Sequence, residues 1–261
     1  MGFLTDFVER ARRDLAEHPL DDGALLARAA ARPPARDFLG ALRQHAPALI
    51  AEVKRASPSG GAIDDEADPA AQAAAYADGG AAAISVLTER RHFHGSLADL
   101  DAVRLAVRLP LLRKDFLVHP SQVIEARSHG ADAVLLITAA LRDDELAAML
   151  AVARDLGMGA LVETHADDEL DRALASGAEV IGVNARDLES LEVDVARARE
   201  RLRRIPSDRV AVFESGIRTR DDVDAAVRAG ASAILVGEAL MRAADPRAAA
   251  RELIARGDGP T

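Results

Sequence analysis

Short apolar segments alternate with amphipathic helical segments along most of the chain, and this repeat constrains the fold more than any other feature. The helical segments begin near Asp, Ser, Thr or Pro, and several end in Gly, as helix capping requires. A weak internal repeat joins a helix-ending Gly to a buried strand in GGAAAISVL, HGADAVLLI, SGAEVIGVN and AGASAILVG. The pattern predicts eight strands, at residues 49–54, 82–88, 109–115, 131–138, 159–164, 179–185, 209–215 and 232–238.

Eight strands that alternate with helices predict an α/β fold with a parallel sheet. Their number and near-even spacing favour a closed (β/α)8 TIM barrel, and a doubly wound open sheet is the alternative. Residues 1–47 precede the first strand, and their apolar positions at 3, 4, 7, 8, 11 and 15 have helical spacing. We therefore expect residues 1–261 to form a single barrel domain, in which residues 1–47 are an N-terminal helical extension that covers the barrel.

Composition excludes several classes of function. The net charge of −10 argues against a nucleic-acid partner, and no apolar run approaches the length of a membrane span. The chain has no cysteine, so it has no disulfide, thiolate metal site or catalytic thiol. The N-terminus mixes acidic and basic residues and does not read as a signal peptide. These features fit a cytoplasmic enzyme that is a monomer or a weak homo-oligomer.

Lysine and asparagine are almost absent, and their positions are informative. Among 33 Lys and Arg residues only Lys54 and Lys114 are lysine, and Asn184 is the only asparagine. All three fall at the carboxyl ends of predicted strands, where barrel enzymes place their chemistry. Lysine can give up a proton near neutral pH and arginine cannot, which favours proton transfer over chance retention.

Acidic residues share this rim. Glu52 lies two residues before Lys54, so both side chains face the same side of the first strand. Glu163 and Glu214 end the fifth and seventh strands. Glutamates and cations that converge in a barrel mouth shift one another's pKa values, which is typical of acid–base sites. A salt-bridged polar plug without chemistry is the structural alternative, although buried ion pairs are costly to maintain.

Other polar features divide into a phosphate-binding pattern and residues without an evident function. The turns ESGI and VGEAL follow strands 7 and 8, where barrels often bind phosphate, and Ser57 adds a hydroxyl after strand 1. His92 and His94 lack an evident third metal ligand, so an ordinary loop is favoured and no metal is expected. Tyr76 is predicted to pack in a helix, and His165 to begin one.

Seven motifs at the strand ends together resemble the indole-3-glycerol phosphate synthase family: IAEVKRASPSGG, ISVLTE with FHGS, LLRKDF, LVETH, GVNARDL, FESGI and ILVGEAL. The resemblance covers nearly the whole chain. It implies a (β/α)8 barrel that converts 1-(2-carboxyphenylamino)-1-deoxyribulose 5-phosphate to indole-3-glycerol phosphate, carbon dioxide and water. It implies no cofactor and no metal, and a small phosphorylated molecule as the substrate.

The resemblance also implies residue roles. Lys114 would be the general acid, Lys54 would bind the substrate carboxylate, and Glu163 would handle protons during dehydration as base or acid. Glu52 and Glu214 would orient the lysines and the substrate hydroxyls. Asn184 would hold Glu52 or the substrate, and Arg186 would add positive charge near the anionic end of the substrate. The anthranilate pocket would be lined by Phe93, Phe116 and Leu188. The phosphate cradle would be formed by Ser57, Ser215, Gly216, Gly237 and Glu238.

Two features depart from the family pattern. Strand 6 reads Val-Asn-Ala-Arg where many relatives have Asn-Asn-Arg, and Glu238 stands where Ser or Thr often follows the glycine. The Glu238 side chain must then point away from a bound phosphate, which only its backbone N–H would contact.

Two other functions stay open. One is a Schiff-base aldolase that uses Lys114 as nucleophile, and the other is a catalytically silent barrel that serves as a binding or scaffold subunit.

Overall fold

The barrel closes as its repeating sequence predicts. The computed structural model describes residues 2–58 and 61–255, and in these ranges eight parallel strands form one closed barrel. The first strand pairs with both the second and the eighth, so an open sheet is excluded. The strands are β1 Ala48–Val53, β2 Ala83–Leu87, β3 Leu111–Lys114, β4 Ala133–Ile137, β5 Gly159–Thr164, β6 Val180–Asn184, β7 Val210–Glu214 and β8 Ala233–Val236.

All eight predicted strands are confirmed, with ends that differ by up to two residues. Their apolar runs are buried on both faces, because side chains fill the barrel on one side and helices cover the other. Loop positions that the patterns included, such as Leu109 and Asp115, lie just outside β3. Strand ends are the least sharply defined part of such a pattern.

Helices surround the barrel and also precede it. The described helices are α1 Phe3–Glu17, α2 Asp22–Ala30, α3 Phe38–Arg43, α4 Pro69–Asp78, α5 Leu97–Ala106, α6 Pro120–Ser128, α7 Asp143–Asp155, α8 Asp167–Ala175, α9 Val195–Leu202, α10 Arg220–Arg228, α11 Glu238–Met241 and α12 Pro246–Ile254. A 3₁₀ turn at Thr138–Ala140 follows β4, and Ala56–Ser57 pairs with Gly61–Ala62 in the loop after β1. Within the described residues, no helix is both long and apolar enough to cross a bilayer.

The first three helices reach both ends of the barrel. At the carboxyl end, the Phe7 ring of α1 stacks on Phe116 after β3, with centroids 4.2 Å apart. At the amino end, Phe38 of α3 is 1% exposed and packs so closely on Gly159 that a Cβ there would lie 3.0 Å from its ring. The segment before the barrel is therefore anchored at opposite ends of it.

Candidate active site

A cavity of about 730 Å³ opens at the carboxyl ends of the strands. The strands and their loops aim side chains into it because all eight run parallel, so their carboxyl ends meet at one mouth. Every residue predicted from the sequence for the site lines this cavity: Glu52, Lys54, Ser57, Phe93, Lys114, Phe116, Glu163, Asn184, Arg186, Leu188, Glu214, Ser215, Gly216, Gly237 and Glu238.

Lys114 lies at the centre of the charged wall. Its Nζ is 2.9 Å from Oε2 of Glu163 on β5 and 3.3 Å from Oε2 of Glu214 on β7. Burial favours the neutral amine, but Glu163, Glu214 and Glu52 outweigh it and raise the pKa of Lys114 above its ordinary value. Lys114 is therefore a charged ammonium at neutral pH and has a proton to give.

The two glutamates around Lys114 hold different protonation states. Burial would raise the pKa of Glu163, but Lys114 and His165 lower it well below the ordinary range. Burial, followed by repulsion from Glu163, raises the pKa of Glu214 well above that range. Glu163 is thus ionised and Glu214 neutral, a division of the kind that separates acids from bases in enzyme sites.

Donors at Glu163 explain why it is the ionised member. Asn184 donates from Nδ2 to Oε1 of Glu163 at 3.2 Å, and Nε2 of His165 lies 3.1 Å from the same oxygen. The structure therefore corrects one expectation: Asn184 binds Glu163 and not Glu52. Its Oδ1 also accepts the backbone N–H of Arg186 at 3.0 Å, which fixes the amide.

Glu214 is buried with little support from the protein. Its contacts are the ion pair with Lys114 and a hydrogen bond shared with Glu163. A glycine of β6 makes room for it, since a Cβ at Gly182 would lie 2.2 Å from Oε1 of Glu214. A buried carboxyl group with so few partners in a cavity wall is suited to bind a ligand hydroxyl.

Glu52 and Lys54 form the opposite charged wall, and they face the same side as predicted. Nζ of Lys54 is 3.1 Å from Oε1 of Glu52, and Ser85 of β2 donates to Oε2 at 3.3 Å. Gly237 lets this side chain approach β8, because a Cβ there would lie 2.6 Å from Oε1 of Glu52. Gly237 thus has a packing role that its position in a turn did not reveal.

The turn after β7 has a strained backbone. Ser215 and Gly216 both have positive φ, 65° and 79°, and such strain in a non-glycine residue is typical of functional sites. The Glu238 side chain pairs with Arg242, with Oε1 and Nε 3.1 Å apart. Its charge is therefore directed to a cation on its own helix, as the departure at this position requires.

Aromatic and aliphatic side chains form the third wall. The rings of Phe93 and Phe116 are 6.2 Å apart, and Leu188 faces the same cavity. Phe3 of α1 also lines it, a contact that sequence reasoning missed. The helical pattern of α1 predicted one apolar face but not which part of the barrel that face would cover.

The histidines and the tyrosine for which the sequence indicates no function make contacts with neighbouring protein side chains. His94 pairs with Asp65 at 2.6 Å, and His92 packs 4.7 Å from the Phe7 ring. No group of three or more potential metal ligands occurs among the described residues. Tyr76 is fully buried, as predicted. The prediction that His165 begins a helix is wrong, since α8 begins at Asp167.

The closed barrel, with lysines and glutamates at the carboxyl ends of its strands, has the architecture of a (β/α)8-barrel enzyme. A model described as indole-3-glycerol phosphate synthase matches residues 4–253. The chain belongs to the indole-3-glycerol phosphate synthase family. The resemblance found in the strand-end motifs is thereby confirmed.

Similar proteins span the same length. The indole-3-glycerol phosphate synthase of Rhodococcus opacus (strain B4) is 52% identical over 263 residues, covering 100% of this chain and 98% of that protein. That of Mycobacterium avium (strain 104) is 52% identical, covering 99% and 96%. Among solved structures, thiamine phosphate pyrophosphorylase from Pyrococcus furiosus has a TM-score of 0.61 at 19% identity, covering 81% of this chain and 95% of that one. The last likeness shows the fold alone.

Proposed function

We propose that this chain closes the indole ring of indole-3-glycerol phosphate from 1-(2-carboxyphenylamino)-1-deoxyribulose 5-phosphate, releasing carbon dioxide and water. One observation carries the proposal: the ammonium of Lys114 lies between an ionised Glu163 at 2.9 Å and a neutral Glu214 at 3.3 Å. A ring closure that first needs an acid and then a base can draw both from this group.

Carbon–carbon bond formation is the first step. The ring carbon that bears the carboxylate attacks the C2′ carbonyl carbon, and the carbonyl oxygen takes a proton from Nζ of Lys114. The charged state of Lys114 supports this role, because the proton is present before the substrate binds. Glu163 and Glu214 hold the ammonium from two sides and fix its direction.

Loss of carbon dioxide follows at the same ring carbon. The electron pair of the bond to the carboxylate returns to the ring system and restores its aromaticity. Lys54 is placed to bind that carboxylate, and Glu52 holds its ammonium at 3.1 Å. Since Lys54 is the cation of the opposite wall, it also orients the ring relative to Lys114.

Dehydration completes the indole. The C2′ hydroxyl leaves with a proton supplied by a lysine, and the neighbouring C1′ carbon loses a proton to Glu163. The low pKa of Glu163 supports the base role rather than the acid role that the resemblance left open. Asn184 orients its carboxylate through Oε1, and Glu214 is available to a substrate hydroxyl.

The two ends of the substrate fit the remaining walls. The phosphate is assigned to the turns after β7 and β8 with Ser57, and Arg186 adds positive charge nearby. The anthranilate ring is assigned to the apolar wall. The cradle residues are Ser215, Gly216, Gly237 and Glu238, and the ring residues are Phe93, Phe116 and Leu188.

The test is to mix the purified protein with the carboxyphenylamino-deoxyribulose phosphate and to follow indole fluorescence with a chelator present. A rising signal that survives the chelator is expected, because the proposed chemistry needs neither metal nor cofactor. A folded protein that binds the substrate without producing a signal would favour the silent barrel. Covalent labelling after borohydride treatment with substrate would favour the aldolase.

We also infer a cytoplasmic monomer or weak homo-oligomer that folds as one domain and has no nucleic-acid or membrane partner. The net charge of −10 supports the absence of nucleic acid. Light scattering across a concentration series tests the oligomeric state. A single cooperative thermal transition, common to the barrel and its N-terminal helices, is the expected result for one domain.

A further inference from the structure

His165 is a buried titratable group directly behind the charged wall. It follows β5, and its side chain is 5% exposed. Nε2 lies 3.1 Å from Oε1 of Glu163, and Nδ1 lies 3.2 Å from Oε2 of Glu169 on α8. The same oxygen of Glu169 accepts the backbone N–H of His165 at 2.7 Å. The imidazole is therefore held between a carboxylate of the site and one outside it.

This arrangement favours the imidazolium. A neutral imidazole has an N–H on only one ring nitrogen, whereas both nitrogens here face carboxylate oxygens. Burial lowers the pKa of His165, but Glu163 and Glu169 outweigh burial and raise the pKa to about 10. Asp187 in the loop after β6 also feels this charge, since His165 helps to lower its pKa. Lys114 pairs with Oε2 of Glu163, the oxygen that His165 does not contact.

His165 also gives the two glutamates of the site different electrostatic surroundings. Glu163 has Lys114, Asn184 and His165 around its two oxygens. Glu214 has the contact with Lys114 but no further donor among the described residues. Because both glutamates reach the same lysine, the additional donors at Glu163 decide which carboxylate stays ionised. Of these donors, only His165 contributes a charge.

We propose that His165 is a positioning residue: its imidazolium, held by Glu169, keeps Glu163 ionised and aimed at the mouth of the barrel. It does not line the cavity and acts through Glu163. The inference rests on the proposed function, in which Glu163 is the base of the dehydration. It adds a charge relay, meaning a chain of alternating charges that runs from Glu169 on α8 through His165 to Glu163.

The test is the pH profile of kcat for His165→Gln, from the lowest pH at which both proteins stay folded up to pH 9. Glutamine keeps an amide donor but removes the charge, and an opposite charge nearby typically lowers a carboxyl pKa by about one to three units. The acid limb of kcat is expected to move to higher pH by about one unit, with KM changed less than about twofold. The loss of kcat is expected to shrink as pH rises, whereas a misplaced site would lose kcat at every pH.

His129→Gln is the matched control. His129 is also a largely buried histidine paired with a carboxylate, 2.8 Å from Asp101, but it ends α6 away from the cavity. Its profile is expected to superimpose on that of the unsubstituted protein. An unshifted acid limb in His165→Gln would overturn the proposal.

Two further variants keep the outcomes distinct. If the unsubstituted protein gave no indole signal, the proposed function itself would fail, and normal turnover in Glu163→Gln would remove the base role on which the present inference rests. If Glu163→Gln were inactive while His165→Gln kept an unshifted profile, only the present inference would fail. Should His165→Gln not fold, NMR titration of the His165 ring in the unsubstituted protein and in Glu169→Gln replaces it. We expect a pKa near 10 that falls in the variant, and an ordinary pKa of about 6.5 in both would refute the relay.

Discussion

The two ends of the barrel each bury a carboxylate, and they treat it in opposite ways. At the amino end, Asp132 accepts the backbone N–H groups of Arg36 at 2.8 Å and Leu111 at 2.9 Å, and pairs with Arg104 at 2.6 Å. At the carboxyl end, Glu214 is equally buried, yet its contacts are with two other site residues, Lys114 at 3.3 Å and Glu163, and no backbone N–H of the described residues donates to it. A carboxylate fixed by several donors of the scaffold stabilises the fold, whereas one held only by site residues is available to a ligand.

The comparison also explains where strain is tolerated. The amino end ties β4 to the segment before α3 through Asp132. The carboxyl end gathers Lys114, three glutamates and the left-handed Ser215 in one mouth. Strain at Ser215 and the burial of charges destabilise this mouth, and the packing of the rest of the barrel offsets that cost, as is usual for a site and its scaffold.

The largest expected effect is at the carboxyl end. Lys114→Arg keeps the charge but removes the proton donor, so kcat is expected to fall by about a thousandfold, within the range for general acid catalysis. Indole fluorescence measures this loss, and the thermal transition is expected to stay in place. Near-normal turnover in the variant would remove Lys114 from the general-acid role.

The opposite effect is expected at the amino end. Asp132→Asn removes the charge that faces Arg104 and one of the acceptors for Arg36 and Leu111, so we expect the free energy of unfolding to fall by about 3 kcal/mol. Urea denaturation measures this change, while kcat of the folded variant stays unchanged. A variant that loses turnover without losing stability would contradict the division between the two ends.

The same amide substitution at Glu214 sharpens the comparison. Because the pKa of Glu214 is raised, glutamine replaces a neutral acid, and we expect the free energy of unfolding to change by less than about 1 kcal/mol. Turnover is expected to fall about tenfold, since the amide alters the contacts that position the Lys114 ammonium and the substrate hydroxyl. If urea denaturation instead showed a loss as large as for Asp132→Asn, Glu214 would be an ionised structural residue.

The smallest expected effect concerns the phosphate turn. Arg242→Ala frees the Glu238 side chain from its 3.1 Å partner, and a nearby anion then repels the substrate phosphate. KM is expected to rise about threefold, in keeping with the weakness of exposed ion pairs, with kcat unchanged. Arg142→Ala, at another exposed ion pair, is the control and is expected to leave KM unchanged.

Much of the fold and the mouth could be predicted because both depend on local patterns. Strand periodicity located all eight strands, and parallel strands bring their carboxyl ends together whatever the loops do. The rarity of lysine and asparagine then pointed to Lys54, Lys114 and Asn184, which line one cavity. These inferences need the order of the elements and no side-chain geometry.

Contacts between distant strands could not be predicted in the same way. Whether Asn184 meets Glu52 or Glu163 depends on the tilt and stagger of the barrel, which sequence spacing does not give. His165 was misread because its role is set by Glu163 and Glu169 together, and the local pattern resembled a helix start. The structural role of Asp132 could not be predicted, because its partners Arg36 and Arg104 lie far from it along the chain.

The N-terminal helices have a consequence for the order in which the molecule is completed during synthesis. Residues 1–47 are synthesised before the barrel, but their partners follow much later: Phe116 for Phe7, Gly159 for Phe38, Glu189, whose Oε1 accepts the Thr5 hydroxyl at 2.8 Å, and Asp208, whose carbonyl accepts a hydrogen bond from Arg43 at 3.1 Å. Until β6 and its loop exist, α1 has no complete surface on which to dock. A segment that is made before the barrel is therefore among the last to be fixed in place.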